Sequence, residues 1–162
     1  MLDGIRPDAD NVVIELGVGT GAITKFLQEL VPDERSYLGI ELDEALVRRA
    51  CKNFPDLNIV CGNASDMSEI YAASRLGNVS YIISCLPFVS LPAEIRDSVL
   101  DEVEKFMRKG CLFRTLQYAH GYYLPPAIKF RKLMQERFGK EQRSPLVMKN
   151  VPPGYLLSWT AK

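Results

Sequence analysis

Short aliphatic runs alternate along this chain with longer stretches in which apolar residues recur every three or four positions. Val12, Val13 and Ile14 open the series with no polar residue among them, the composition of a parallel strand buried on both faces. Ile23, Phe26, Leu27 and Leu30 then follow at helical spacing. The alternation continues with a strand at 37–40 closed by Glu41, a helix over 44–53 capped by Asp43, a strand at 57–60 and another at 79–84. A helix over 92–107 carries Ile95, Val99, Val103 and Phe106 on one face and stops at Lys109-Gly110, and a strand follows at 112–118. The last third reads as a loop at 119–126, a basic amphipathic helix over 128–138, and a closing antiparallel hairpin of 142–148 and 155–160. Strands alternating with helices predict an α/β fold, a mostly parallel sheet with helices on both faces and an antiparallel C-terminal hairpin. At 162 residues, one domain over 1–162 is expected.

Between the first strand and its helix stand Gly17, Gly19 and Gly21 at alternate positions. Glycine admits positive φ and lets a ligand approach with no Cβ in the way, so this is a nucleotide-cofactor turn. Gly17-x-Gly19-x-x-Ala22 also satisfies the dinucleotide fingerprint. Glu15, just ahead of the glycines, tips the choice: a carboxylate there repels a pyrophosphate and suits a cation such as the amino group of a methionine moiety. Glu41, about 20 residues beyond the glycines, is placed to accept from ribose hydroxyls.

The fourth strand ends in Ser84-Cys85-Leu86-Pro87-Phe88. In this architecture that loop lies at the topological switch point, beside the first strand. Pro87 stiffens it, its carbonyl oxygens can accept from an amine N–H, and Phe88 can offer an aromatic face to an ammonium or a flat base. The only histidine, His120, falls in the 119–126 loop, where a solvated role is the ordinary one.

The pattern E-L-G-x-G-x-G at 15–21 resembles motif I of the class I S-adenosylmethionine-dependent methyltransferases. Together with Gly39-Ile40-Glu41, Gly62-Asn63-Ala64, S-x-L-P-F at 84–88, Gln117-Tyr118 and Asn150-Val151-Pro152-Pro153, the chain is similar to the bacterial phospholipid N-methyltransferases, which methylate phosphatidylethanolamine. The resemblance implies a Rossmann-like methyltransferase fold with a seven-stranded sheet. It implies an S-adenosyl-L-methionine site at Glu15, Gly17, Gly19, Thr20, Gly21, Glu41, Leu42, Asn63, Ala64 and Ser84, and no metal. It also implies that Ser84, Leu86, Pro87, Phe88 and Tyr118 handle the amine. Asn63 stands where the family often has an Asp on the adenine amino group, and its amide oxygen still accepts; Asp66 is the nearby substitute. The family's N-terminal segment, a lid over the cofactor and a membrane-binding helix in the phospholipid enzymes, has no counterpart ahead of Asn11. A sister branch, the ribosomal RNA adenine dimethyltransferases, carries N-L-P-Y or N-L-P-F in the catalytic loop. Cys85 occupies that Asn position, which counts against a base N6 as acceptor. The alternatives to a lipid amine are RNA, a small molecule, or a cofactor-binding module completed by a partner.

Charge adds a partner to this picture. The formal net charge is zero, yet from Lys105 onward twelve Lys or Arg stand against Glu136 and Glu141, a net +10, and the first 104 residues hold eight basic and eighteen acidic residues, a net −10. The basic half suits an anionic membrane surface, or alternatively RNA. Cys51, Cys61, Cys85 and Cys111 are scattered with no C-x-x-C pair, and reduced, mostly buried thiols are expected. No apolar stretch reaches spanning length and no signal-like start is present, so a cytoplasmic location is expected, peripheral to the inner membrane face if lipid is the substrate.

Overall fold

The computed structural model describes residues 2–107, 110–148 and 152–160. Seven strands, β1 (Val12–Leu16), β2 (Tyr37–Glu41), β3 (Ile59–Cys61), β4 (Val79–Ser84), β5 (Leu112–Tyr118), β6 (Gln142–Arg143) and β7 (Gly154–Thr160), form one sheet in the order β3-β2-β1-β4-β5-β7-β6. The first five pair in parallel, and β7 runs antiparallel to β5 from Leu112↔Thr160 to Tyr118↔Gly154. All five residues of β1 are buried, Glu15 among them, as the apolar run Val12–Ile14 predicts of a central strand. The strand order reverses beside β1, where β2 leaves to one side and β4 to the other. The crevice beyond the carboxyl ends of β1 and β4 is therefore the place for a ligand.

Alternation along β1 divides the core. Ile14 and Leu16 face a cluster with Ile82, Phe113, Trp159, Val99, Val103 and Phe130, while Val13 faces Tyr37, Leu27, Ala50, Phe54 and Ile83. Helices α4 (Ala93–Met107) and α5 (Pro125–Phe138) supply the first layer, and α1 (Thr24–Leu27) and α2 (Glu44–Asn53) the second. The seven-stranded mixed sheet with helices on both faces is the Rossmann-like methyltransferase architecture expected above.

Several local expectations change. The helix expected to run from Ile23 through Leu30 is a single turn, α1, with no side-chain cap. One turn orders its residues for very few hydrogen bonds, so it draws its stability from packing. An unpredicted helix, α3 (Met67–Ser74), follows Asn63 and a 3-10 turn. Met67, Ile70 and Tyr71 had the helical spacing, and Glu102 of α4 accepts from the Ser68 amide at 2.9 Å. The expected strand over 142–148 shrinks to the two residues of β6 plus an isolated bridge, Val147↔Gly154. Asn150 and Val151 of the N-x-P-P motif, and Lys109 before Gly110, lie outside the described residues. Only Cys111 of the four free thiols is buried; Cys61 and Cys85 are exposed at the ends of β3 and β4, and Cys51 on the outer face of α2.

Candidate active site

Three glycines turn the chain out of β1, all with positive φ: Gly17 at 78°, Gly19 at 57° and Gly21 at 82°. Their surroundings differ. A Cβ on Gly17 would meet Leu86 Cδ2 at 2.9 Å and one on Gly21 would meet the Phe54 ring at 2.4 Å, so those two glycines permit close packing. Gly19 faces open space, its nearest neighbour being the Gly17 carbonyl at 4.0 Å. The open side of the turn is the cradle that a cofactor needs.

Glu41 is tied to that cradle. Its Oε2 accepts from the Gly19 amide at 2.8 Å and its Oε1 from Asp43 N at 3.0 Å. A carboxylate offers about four acceptor positions, so two remain for ribose hydroxyls. Leu42 follows, 69% exposed, and Thr20 is exposed on the turn. Asn63 and Ala64 lie past the end of β3, which neighbours β2. The Asn63 amide oxygen already accepts from Ser65 N at 3.0 Å as a cap, and Asp66 is exposed one turn on.

Glu15 departs from its expected role. It is fully buried, and its carboxylate accepts from Thr24 Oγ1 at 3.0 and 3.1 Å and from Tyr37 Oη at 2.6 Å. It braces α1 against β2 behind the glycine turn instead of facing a ligand. Burial, with the Glu41 charge adding to it, pushes its pKa up to about 7, against the lowering effect of the Tyr37 and Thr24 hydroxyls. A half-protonated carboxyl is a weak counter-ion for an amino group at neutral pH.

The loop after β4 is held from both sides. Cys85 N donates to Leu16 O at 3.0 Å, Thr115 Oγ1 donates to the Ser84 carbonyl at 3.1 Å, and Leu86 N donates to Ser84 Oγ at 3.2 Å. Ser84 itself is buried, so its hydroxyl braces the loop. The Leu86 carbonyl accepts from Phe88 N and the Pro87 carbonyl from Ser90 N and Leu91 N. Among the described residues, the carbonyls of this loop that accept from no backbone N–H are those of Cys85, ahead of Pro87, and Phe88, behind it. The carbonyls of Leu86 and Pro87 are thus already engaged within the loop. Although Cys85 is exposed at its edge, it lines the cavity beside this loop, and desolvation there, with the Glu15 charge, pushes its thiol up to about 12, so little thiolate is present at neutral pH.

Phe88 is also placed differently from its expected role. Only 2% exposed, it stacks on Phe130 at 5.6 Å and meets Phe113 edge-on at 6.1 Å. One ring face is thus covered, and the side chain anchors the loop to α5. Tyr118, 45% exposed, stacks on His120 with centroids 5.7 Å apart.

A cavity of about 490 Å³ opens between this loop, the end of β5 and the start of α5. Leu86, Phe88, Leu116, Leu124 and Phe130 form much of its wall, Tyr118 and His120 lie on its lip, and Ala22 and Ile23 connect it to the glycine turn. Gln117 was named only as part of a motif, yet its side chain is 5% exposed and it lines this cavity. Its place on the inward side of an alternating strand was the available signal.

The methyltransferase domain family matches residues 13–110, more than half of the chain. The ornithine lipid N-methyltransferase of Singulisphaera acidiphila is 27% identical over 108 residues, 65% of this chain and 56% of that protein. The ribosomal RNA small subunit methyltransferase A of Cupriavidus necator is 31% identical over 109 residues, 63% of this chain and 38% of that protein. The chain thus spans between about a third and about half of these relatives' lengths. In fold it matches the TehB-like S-adenosylmethionine-dependent methyltransferase of Corynebacterium glutamicum with a TM-score of 0.69 at 17% identity, covering 99% of this chain and 85% of that one. With the sheet order, the open glycine cradle and the family match in agreement, the chain belongs to the methyltransferase domain family, as a class I S-adenosylmethionine-dependent domain.

Proposed function

We propose that this domain transfers a methyl group from S-adenosylmethionine (EC 2.1.1.-) to the amine of a lipid headgroup, with phosphatidylethanolamine the leading acceptor. The observation that carries this reading is the apolar cavity of about 490 Å³ that adjoins both the glycine turn and the loop after β4. The similarity to a lipid N-methyltransferase supports it. Adenine N6 is the lesser reading despite the ribosomal RNA relatives, because Cys85 lacks the amide that both donates and accepts.

When bound, the cofactor supplies an electrophilic sulfonium methyl. The chain's part is to place a neutral amine in line with it. The open face over Gly19 would admit the cofactor and Glu41 would accept from its ribose, with Thr20, Leu42, Asn63 and Ala64 on the loops past the ends of β1, β2 and β3. On the other side, the apolar walls of Leu86, Leu116, Leu124 and Phe130 disfavour the ammonium form and exclude water, so the amine enters after giving its extra proton to solvent. The Cys85 carbonyl then accepts an amine N–H and aims the lone pair, while Pro87 and the Ser84 and Thr115 hydrogen bonds keep that carbonyl in place. Tyr118 at the lip steers the headgroup inward.

The test is to give the purified chain methyl-labelled cofactor and, in parallel, phosphatidylethanolamine vesicles, ribosomal RNA and small soluble amines. Label in the lipid is expected. Label in RNA or in a soluble amine instead would replace the lipid reading, and cofactor binding with no transfer to any acceptor would favour a module completed by a partner.

A further inference from the structure

Gln117 occupies an unusual position on the cavity wall. Its amide oxygen accepts from Arg131 Nη1 at 2.8 Å. A guanidinium has no acceptor, so the oxygen must face Arg131 and the NH2 must face away from it. That NH2 is buried and meets no acceptor among the described residues, although the side chain is 95% buried in a cavity-lining position. A buried amide donor without a partner costs free energy that an apolar residue there would not.

Arg131 is itself held for this purpose. Its Nη1 also donates to the Tyr122 carbonyl at 2.7 Å, and its guanidinium carbon lies 3.8 Å from the centre of the Tyr122 ring. No carboxylate pairs with it among the described residues. A positive charge without a counter-ion therefore stands directly behind the unpartnered donor. The two together select an oxygen acceptor, and an anionic one above all.

The position along the sheet fits the amine site. Ser84 pairs with Thr115 across β4 and β5, and Gln117 lies two residues further along β5, roughly 7 Å at the usual strand rise. An amine held at Cys85 thus has Gln117 within reach of an oxygen a few bonds away on the same molecule.

Resting on the lipid-amine reading above, we propose that Gln117 is the residue that recognises the headgroup. Its NH2 donates to an oxygen near the reacting amine, with Arg131 as the positioning residue that fixes the amide. The oxygen is a phosphodiester oxygen in phosphatidylethanolamine or an amide carbonyl in a phosphate-free acylated ornithine. The vacant charge on Arg131 favours the phosphodiester.

Steady-state transfer to short-chain phosphatidylethanolamine and to an acylated ornithine tests this, with Gln117→Glu, Gln117→Met and Arg131→Lys beside the parent chain. Gln117→Glu replaces the lone donor with an acceptor that pairs with Arg131, so its thermal midpoint should be equal or higher while KM for phosphatidylethanolamine rises at least tenfold. Gln117→Met, which cannot form that ion pair, guards against a misfolded Glu variant and should raise KM for phosphatidylethanolamine to a similar extent. Arg131→Lys, which loses the fixed fork, should raise KM less, and kcat and cofactor affinity should stay within about twofold throughout. A KM rise confined to phosphatidylethanolamine in Gln117→Glu identifies the phosphodiester, and an equal rise for both lipids identifies the carbonyl. Unchanged KM in both Gln117 variants overturns the proposal and leaves the lipid reading standing. A parent chain that methylates neither lipid overturns both.

Discussion

Glu15 and Gly19 show how single residues on the glycine turn set measurable behaviour. Burial lifts Glu15 from 4.5 to about 7, so the folded chain holds this proton more tightly than the unfolded chain does. The stabilisation is complete below about pH 4.5 and is lost as pH rises through about 7, a change on the order of 3 kcal/mol at about 1.4 kcal/mol per pH unit. Urea titrations at pH 5 and pH 8 should find the parent more stable at pH 5, and Glu15→Gln should flatten that difference. Asp8 and Asp97 are shifted down by their hydrogen bonds, to Asn11 and Arg96 respectively, and are already ionised across this window. Gly19→Val should leave a folded chain that no longer binds S-adenosylmethionine, since its side chain enters the open cradle. Glu41→Ala removes both the ribose acceptor and the tie to Gly19 N, and should weaken binding by about 1–3 kcal/mol in calorimetric titration. Unchanged affinity in both variants would move the cofactor site elsewhere.

At the scale of elements, the loop after β4 is the part on which the proposed transfer depends. Pro87→Ala keeps the cavity but loosens the loop, so turnover should fall while cofactor affinity stays close to that of the parent. Phe88→Ala is different. Its ring stacks on Phe130 and meets Phe113 edge-on, so its removal should cost about 3–5 kcal/mol of stability along with activity. Chemical denaturation separates the two, and a Phe88→Ala chain as stable as the parent would show that the stack holds nothing. The sequence marked this loop through its proline and its place after the fourth strand. It left open how the loop is braced, because that depends on Leu16 and Thr115, residues on two other strands.

For the whole molecule, the question is whether the C-terminal positive charge forms a membrane face. The fold disperses part of it: Arg137 pairs with Asp101 of α4 at 2.5 Å, Lys105 with Glu102, and Arg131 turns inward to Gln117. Tyr122, expected at headgroup level, is 4% exposed, whereas Tyr123 and Leu124 are 69% and 55% exposed beside the cavity mouth. Lys129 and Lys132 remain exposed on α5. Among the described residues no helix is long and apolar enough to cross a membrane. Docking through the α5 face predicts sedimentation with vesicles that grows with anionic lipid and falls with salt. Lys129→Glu with Lys132→Glu should reduce it, at about 1 kcal/mol per lysine near the surface. Binding to RNA but not to vesicles at one ionic strength would assign the basic half to nucleic acid.

The sequence by itself determined the α/β class, the central strand, the glycine cradle and the position of the loop after the fourth strand. Each of these is carried by neighbours in the chain: an apolar run, three alternate glycines, a proline after a strand. Only the tertiary structure decided what distant side chains do to one another. Thr24 and Tyr37, 9 and 22 residues from Glu15, take up the carboxylate that looked ready for a ligand. Phe130, from α5, covers the ring face that Phe88 was expected to offer. Arg131, 14 residues from Gln117, turns a motif residue into a buried donor without a partner. Local pattern fixes an element because its hydrogen bonds and apolar face are short-range, whereas the availability of a polar group depends on which elements pack around it.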